Sequence, residues 1–434
     1  MSIADTVTVT ISVQDVLPAI ANFGTPLILA YHTNFVGVRE YEASPSGLTA
    51  LVADGFTIGH AAYKKAAAIV AQNPHTDKFK VANRAAANAQ TITLTPKWFT
   101  TGKPVSFDIT VGAITTHVSY TPLVTDTTID LVATGLQTAV GTIAGVTDSD
   151  TTGEVTLVAT VPEVRMYLSN VVGLDIADTS ADAGIAADLA VAAAADNDWF
   201  GLLIDSNSPA EIAAAGAWAL SNERLFGALS PNAAEFVSAT GVAHTMKLTT
   251  NTNSYVIATR DMNGCAEAGL MGRQLSRTPG STTWAHKQIA GAIADGLTAA
   301  EFANARANGA IVYVNDGAVH TYDGWACSGR YLDVTQGIAW LRARIREAVL
   351  IVLVNAEKLG FTNADAATID AAVAGVLSQG ESNKLLMPGW SVTRPDVAAV
   401  SAANKLGRIF PDIKFKAVLQ GAIQKVIIDG TLTV

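Results

Sequence analysis

The sequence is short of charge. Only 15% of its 434 residues are Asp, Glu, Lys or Arg, against 49% hydrophobic residues. That balance excludes disorder over most of the length. It leaves two readings of the surface: much of it faces other protein copies, or Ala-rich helices dilute the charge. Basic residues are the scarcer sign, with 28 Lys and Arg against 38 Asp and Glu and a net charge of −10. A general nucleic-acid binder, which carries a basic face, is thereby excluded. No Lys/Arg cluster suits an anionic membrane surface. Cysteine is nearly absent. Cys265 and Cys327 stand far apart without a CxxC, so nothing points to a disulfide scaffold or a zinc site. Long apolar runs are missing too: "AVLIVLV" at Ala348–Val354 is far too short to span a bilayer. The opening "MSIADTV" has no basic n-region and no apolar h-region, so the expectation is a protein made and kept in a cytoplasm.

Chemical motifs are equally scarce. There is no GxGxxG, no GxxxxGK[ST] and no GxSxG, and none of the seven histidines sits in HExxH. "DSDTTGE" begins like a calcium loop, with Asp148, Asp150 and Gly153 at the first, third and sixth places. The twelfth place needs a bidentate Glu and holds Ala159, so a polar hairpin turn is expected. Asp205 ends an expected strand, where α/β enzymes put catalytic groups. With no partner base or metal ligand in view, Asp205 and Ser208 are expected to satisfy the backbone at a helix start. Arg260 and Asp261 are read the same way. No cofactor and no metal site is expected. Arg342, Arg344 and Arg346 are spaced by two, so they fan around a helix. A solvated face fits them, with interface salt bridges as the alternative.

What is present is organised in three textures, and the length suggests two or three domains. Residues 25–89 hold an apolar strand (Thr25–Thr33), a helix capped by Ser44 with Pro45 first, a helix over Gly59–Gln72 and a strand over Phe79–Ala85. Residues 90–178 turn Thr- and Val-rich, with alternating strands and one helix capped by Asp126 or Thr127. They read as a β-rich inserted domain lying outside the main body. Residues 179–420 alternate strands and helices, which implies a mainly parallel sheet with crossover helices. Here a strand over Asp198–Asp205 precedes a helix capped by Ser208. Later a long helix runs over Asp333–Gly360, capped by Asp333 and ended by Gly360, and another over Asn363–Gly380. The fold class is α/β, or α+β overall, with strand arms at 1–24 and 421–434.

The arms raise a question of partnership. Thr6, Val7, Val9, Ile11 and Val13 alternate apolar and hydroxyl side chains, and Val426, Ile428, Leu432 and Val434 share one face of an extended strand. Chain ends fray unless something ties them down.

From Asp333 onward the sequence resembles the contractile-tail sheath proteins of bacteriophages. The similarity lies in "YLDVTQGIAWLRARI", "GFTNADAATIDAAVAGVLSQG", "LLMPGWSV" and "ANKLGRIFPDIKFKAVLQGAIQKVIIDGTLTV". Asp333, Gly337, Trp340, Leu341, Thr362 and Asp365 look like the family's consecutive helices. Arg408, Pro411, Phe415, Gly421, Ala422, Ile423, Val426, Ile428 and Gly430 look like its closing strands. The resemblance implies a non-enzymatic subunit that stacks as hexameric rings around a tail tube and contracts to drive the tube through the host envelope. It implies arms that complete small sheets in neighbouring copies by strand addition. It also implies contact with baseplate and tail terminator proteins, and a tube-facing surface with Lys384, Lys405 and Arg408, next to Lys414 and Lys416 on an adjoining strand. The implied location is the virion tail, after assembly in the host cytoplasm, without nucleic-acid binding or membrane insertion. Another self-assembling shell or lattice protein, or an α/β enzyme with a site near Asp205, are the rival functions.

Overall fold

The computed structural model describes residues 22–426. The arm residues Thr6, Val7, Val9, Ile11, Val13, Ile428, Leu432 and Val434 lie outside them, as does Gly430. The described chain forms two compact units: residues 22–337 with 421–426, and residues 338–420.

The larger unit begins with β1 (Pro26–Tyr31), β2 (Val38–Glu42), α1 (Pro45–Ala53), α2 (Ala61–Val70) and β3 (Lys78–Arg84). Ser44 caps α1 by accepting from the Gly47 amide at 3.3 Å, with Pro45 opening the helix. The β-rich module follows as β4 (Thr91–Pro96), β5 (Val105–Val111), β6 (Ile114–Tyr120), α3 (Ile129–Val140), β7 (Val146–Thr151), β8 (Glu154–Ala159), β9 (Met166–Val172) and β10 (Leu174–Asp178). The chain then returns to the body through α4 (Ile185–Ala195), β11 (Gly201–Ile204), α5 (Pro209–Ser221), β12 (Leu225–Ser230), α6 (Gly241–Leu248), β13 (Ser254–Ala258), α7 (Ala266–Leu275), α8 (Ala299–Ala307), β14 (Ile311–Asn315) and β15 (Val319–Thr321).

One eight-stranded sheet carries the body, in the order β15-β14-β13-β12-β11-β1-β3-β2. From β14 to β3 the neighbours run parallel, and each edge strand is antiparallel. Helices cover both faces, so "PLILAY", "LFGALS" and "SYVIA" are buried as nearly continuous apolar runs. Alternate residues serve opposite faces. Leu27, Leu29, Leu202, Ile204, Phe226 and Val256 share a core with Leu189, Ile212 and Met246 from α4, α5 and α6. α2 and α7 pack together on the sheet as well, against β1, β11 and β12.

The module holds two antiparallel sheets, β10-β4-β8-β7 and β6-β5-β9. "DSDTTGE" is a hairpin turn, with Thr152 and Gly153 both at positive φ. Its carboxylates are already engaged: Asp148 accepts from Gln137 at 2.5 Å and Asp150 from Thr134 at 2.7 Å. The helix cap falls on Thr128 instead of Asp126 or Thr127. Asp126 is drawn away by the Tyr120 hydroxyl at 2.6 Å and the Leu123 amide at 2.7 Å. Nor does the module stand outside the body. The Leu168 carbonyl accepts from the Met262 amide at 2.8 Å, and the Asn232 side chain from the Asp178 amide at 2.6 Å. At the β5–β6 turn Gly112 lies against Gly59. A Cβ on Gly59 would sit 2.2 Å from the Gly112 Cα, so only glycine fits.

The division between units falls within α9 (Leu332–Asn355). This helix starts before Asp333 and stops well before Gly360. Asp333 therefore sits in the first turn, with its carboxylate taking the Val334 amide at 2.9 Å, and is not the cap. Gly360 belongs to the next helix start: its amide donates to Asp365 at 2.9 Å. α10 (Asn363–Ser382) is capped by Thr362, which accepts from the Asp365 amide at 3.1 Å, and it continues past Gly380. The unit closes with β16 (Ser391–Thr393), α11 (Ala402–Leu406) and β17 (Lys414–Lys416). β16 and β17 form a two-stranded antiparallel sheet. Phe415 lies in β17, whereas Arg408 and Pro411 precede it. Gly421, Ala422, Ile423 and Val426 carry no strand.

Gly59→Ala should force the module's turn off the body. Overpacking of this kind costs roughly 1–3 kcal/mol, a fall in Tm of a few degrees by thermal denaturation. A variant melting with the parent would contradict the close packing.

Candidate functional site

The carboxyl edge of the sheet gathers a cluster of buried charges. β3 ends in Arg84, which is 1% exposed. Its guanidinium meets Asp205, just past β11, at 2.7 Å, and Glu211 of α5 at 3.1 Å from Nη1, with a second bond from Nη2. Asp188 of α4 forms an ion pair with Nε at 3.5 Å. From the module, Arg165 reaches Asp205 at 3.4 Å. The remaining donor to Asp205 is the Tyr31 amide, at 2.8 Å. Burial alone would raise the Asp205 pKa, but Arg84 and Arg165 outweigh it and hold the group well below the carboxylate range. Burial prevails at Asp188 and pushes it up.

Asp205 is thus neither a helix cap nor a free catalytic carboxylate. Its oxygens are occupied by two guanidinium groups and a neighbouring strand, and it remains ionised. Ser208 flanks α5, but its hydroxyl donates to the Ser180 carbonyl instead of capping. Asp261 does satisfy backbone, accepting from the amides of Asn263, Gly264 and Ile293 at 3.2, 3.3 and 3.0 Å. Arg260 instead pairs with Glu301 at 2.6 Å and lies over the Phe236 ring.

Two histidines sit beside this cluster. His60 caps α2: its Nδ1 accepts from the Ala62 amide at 3.1 Å while Nε2 donates to the Tyr31 carbonyl at 2.9 Å. His32 is buried between Phe35 and Phe56, and neither ring nitrogen has a hydrogen-bond partner. Burial, and then the neighbouring His60, hold its pKa down at about 4. Burial also lowers His60. Among the described residues, no group of His, Cys, Asp and Glu is arranged to hold a metal ion.

The smaller unit spreads its basic residues out. Lys405 and Arg408 line a cleft of about 750 Å³ together with Asp365, Phe361, Ile369 and Phe410, at the start of α10. Lys384 lies beyond the other end of α10, exposed and at φ 62°. A helix of 20 residues is about 30 Å long, so the three side chains do not form one patch. Lys414 and Lys416 are exposed on β17. Arg342 and Arg346 are exposed on α9, and Arg344 pairs with Glu347 one turn on at 2.5 Å. β16 is only three residues long, too short for a periodic pattern to mark it. Among the described residues its sole partner is β17, leaving each strand with an outer edge.

Two consequences can be measured. Asp205→Ala leaves Arg84 and Arg165 buried without their shared partner, a change that costs about 3–5 kcal/mol. Chemical denaturation should show a lower midpoint; an unchanged midpoint would mean the cluster is not holding the body. The second consequence concerns acid. A histidine whose folded pKa is depressed leaves stability intact above pH 6.5 and removes it as pH falls from 6.5 towards 4. The fall in Tm over that window should be smaller in His32→Phe than in the parent, and equal falls would contradict the assignment.

No protein-family model matches the chain, and no curated protein matches it. Solved structures do. The helical sheath of the anti-feeding prophage in its contracted state is 10% identical, with a TM-score of 0.56 over 98% of this chain and 98% of that one. The sheath complex of the extracellular contractile injection system PVC, also contracted, is 8% identical, with a TM-score of 0.54 over 99% of this chain and 97% of that one. Over almost its whole length, the chain has the fold of contractile sheath subunits.

Proposed function

We propose that this protein is the structural subunit of a contractile phage-type tail sheath, without catalytic activity. Copies assemble as stacked hexameric rings around a tail tube and contract to drive the tube through the host envelope. The observation that carries the proposal is the β16–β17 sheet, too small to be stable alone and, among the described residues, without a further strand on either outer edge. A strand from a neighbour would complete it by backbone pairing. The alternating segments at Thr6–Val13 and Val426–Val434 have the pattern such a strand requires. Pairing them also removes the liability of free edges.

Charge supports a tube-facing role for the smaller unit. Residues 338–420 hold ten basic and seven acidic side chains, while the remainder of the chain holds 18 basic and 31 acidic. Lys405 and Arg408 stand at one end of α10 and Lys384 beyond the other, so the basic residues are spread along this unit. Basic charge spread in this way suits an extended acidic surface better than a compact ligand, and fixes register more than affinity. The partners of this reading are the tube, baseplate and terminator proteins, with no nucleic acid and no membrane insertion. Assembly takes place in the host cytoplasm and the product is the virion tail. Contraction needs no nucleotide. Burying ~400 Å² of apolar surface per subunit yields ~10 kcal/mol before ordering and desolvation are subtracted.

Deleting Met1–Val13, or Val426–Val434, should leave a soluble protein with the parent's Tm that no longer forms tubes in negative stain. Normal tubes from either truncation would contradict strand exchange at that end. Flat sheets from the intact protein would indicate a lattice protein instead.

A further inference from the structure

The last described residues reverse the usual rule of burial. Over Gly421–Val426 the apolar Ile423 is 83% exposed and Val426 71% exposed, whereas Gln424 is the one residue tucked in. Gln424 is held by both of its polar ends. Its side-chain amide donates to Thr283 Oγ1 at 3.0 Å. Its backbone carbonyl accepts from His286 Nε2 at 3.1 Å. A carbonyl can only accept, so His286 carries a proton on Nε2.

The loop that receives Gln424 is stitched to the sheet edge. The His286 amide donates to the Thr321 carbonyl at 2.7 Å and the Thr321 amide to the Lys287 carbonyl at 2.9 Å. The Thr321 hydroxyl accepts from the Lys287 amide at 2.9 Å and donates to the Trp284 carbonyl at 3.1 Å. Trp284 and Ala285 are fully buried, with the Trp284 ring against Tyr255 of β13. His286 stands at φ 58°, a left-handed conformation that these bonds impose. Thr321 is the last residue of the edge strand β15. The seat is therefore rigid on one side and polar on the other.

We propose that the Thr283–Lys287 loop is a docking site for the chain's own C-terminal segment, with Gln424 as the residue that positions it. The segment is anchored by hydrogen bonds through Gln424, while its apolar Ile423 and Val426 stay exposed to another surface. On the sheath reading above, the C-terminal arm is then rooted in the edge of the eight-stranded sheet. Tension from a neighbour holding the arm passes through Gln424 into β15.

Lys425 offers a direct test, because trypsin cleaves after it only when the segment lifts from its seat. With rapid opening and closing, the cleavage rate follows the open population. The experiment uses the full chain at a concentration where it is monomeric and reads release of the peptide beginning at Val426. Thr283→Val, which lies outside the cleaved segment, should speed release about fivefold, the expected effect of one net hydrogen bond. Thr283→Ser keeps the hydroxyl and should match the parent. His286→Asn tolerates the left-handed backbone, is too short to reach Gln424, and should also speed release. Gln424→Leu combined with Thr283→Val should release no faster than Gln424→Leu alone, because the two share one bond. Equal rates in parent, Thr283→Val and His286→Asn would overturn the docking site, as would additive effects in the double variant. Since the measurement is made on monomer, it stands or falls separately from tube formation.

Discussion

Arg84 has no route to water, and much of the body is arranged around that fact. A buried guanidinium is tolerable only if carboxylates meet it with good geometry. Asp205, just past β11, and Glu211 of α5 do so by hydrogen bonds, and Asp188 of α4 adds an ion pair at 3.5 Å. The same charges fix how those elements sit on the sheet. Arg165 brings the inserted module into the arrangement through Asp205, so the module's orientation depends on the ion pairs of the body. The crevice that other α/β proteins leave open for a ligand is here filled by paired charges.

The smaller unit follows a different economy. "AVLIVLV", the most aliphatic stretch of the sequence, contains no buried residue, and Leu350, Leu353 and Val354 are each about half exposed. Leu406 and Ile409 are exposed too. Exposed apolar side chains in this density, beside a sheet of two short strands, suit a surface that other copies cover. That favours the first of the two explanations for the low charge of the chain.

Much of this was legible from residues alone. The apolar strands, the Ser44–Pro45 helix start and the change of texture at the module follow from periodicity and turn chemistry, which are local. Asp205 sits at the strand end its pattern predicts, but its pairing is not legible there, because its partner Arg84 is distant in sequence and nothing local marks a buried salt bridge. Asp126 lost its capping role to Tyr120 for the same reason. The over-long helix at Asp333–Gly360 shows the limit of capping signals: Gly360 serves the helix that follows. The spread of Lys384, Lys405 and Arg408 depends on the length of α10 and could not be read from their spacing. The seat of Gln424 joins residues on opposite sides of the smaller unit's sequence, and no motif announces it.

The most direct test is a cryo-EM reconstruction of the assembled protein at a resolution that traces strands. The expected map shows β16 and β17 extended by backbone-paired strands contributed by neighbouring subunits, with density for Thr6–Val13 and Val426–Val434 leading there. A helical assembly in which β16–β17 remains two-stranded, with both chain ends folded onto their own subunit, would contradict strand exchange as the basis of the sheath.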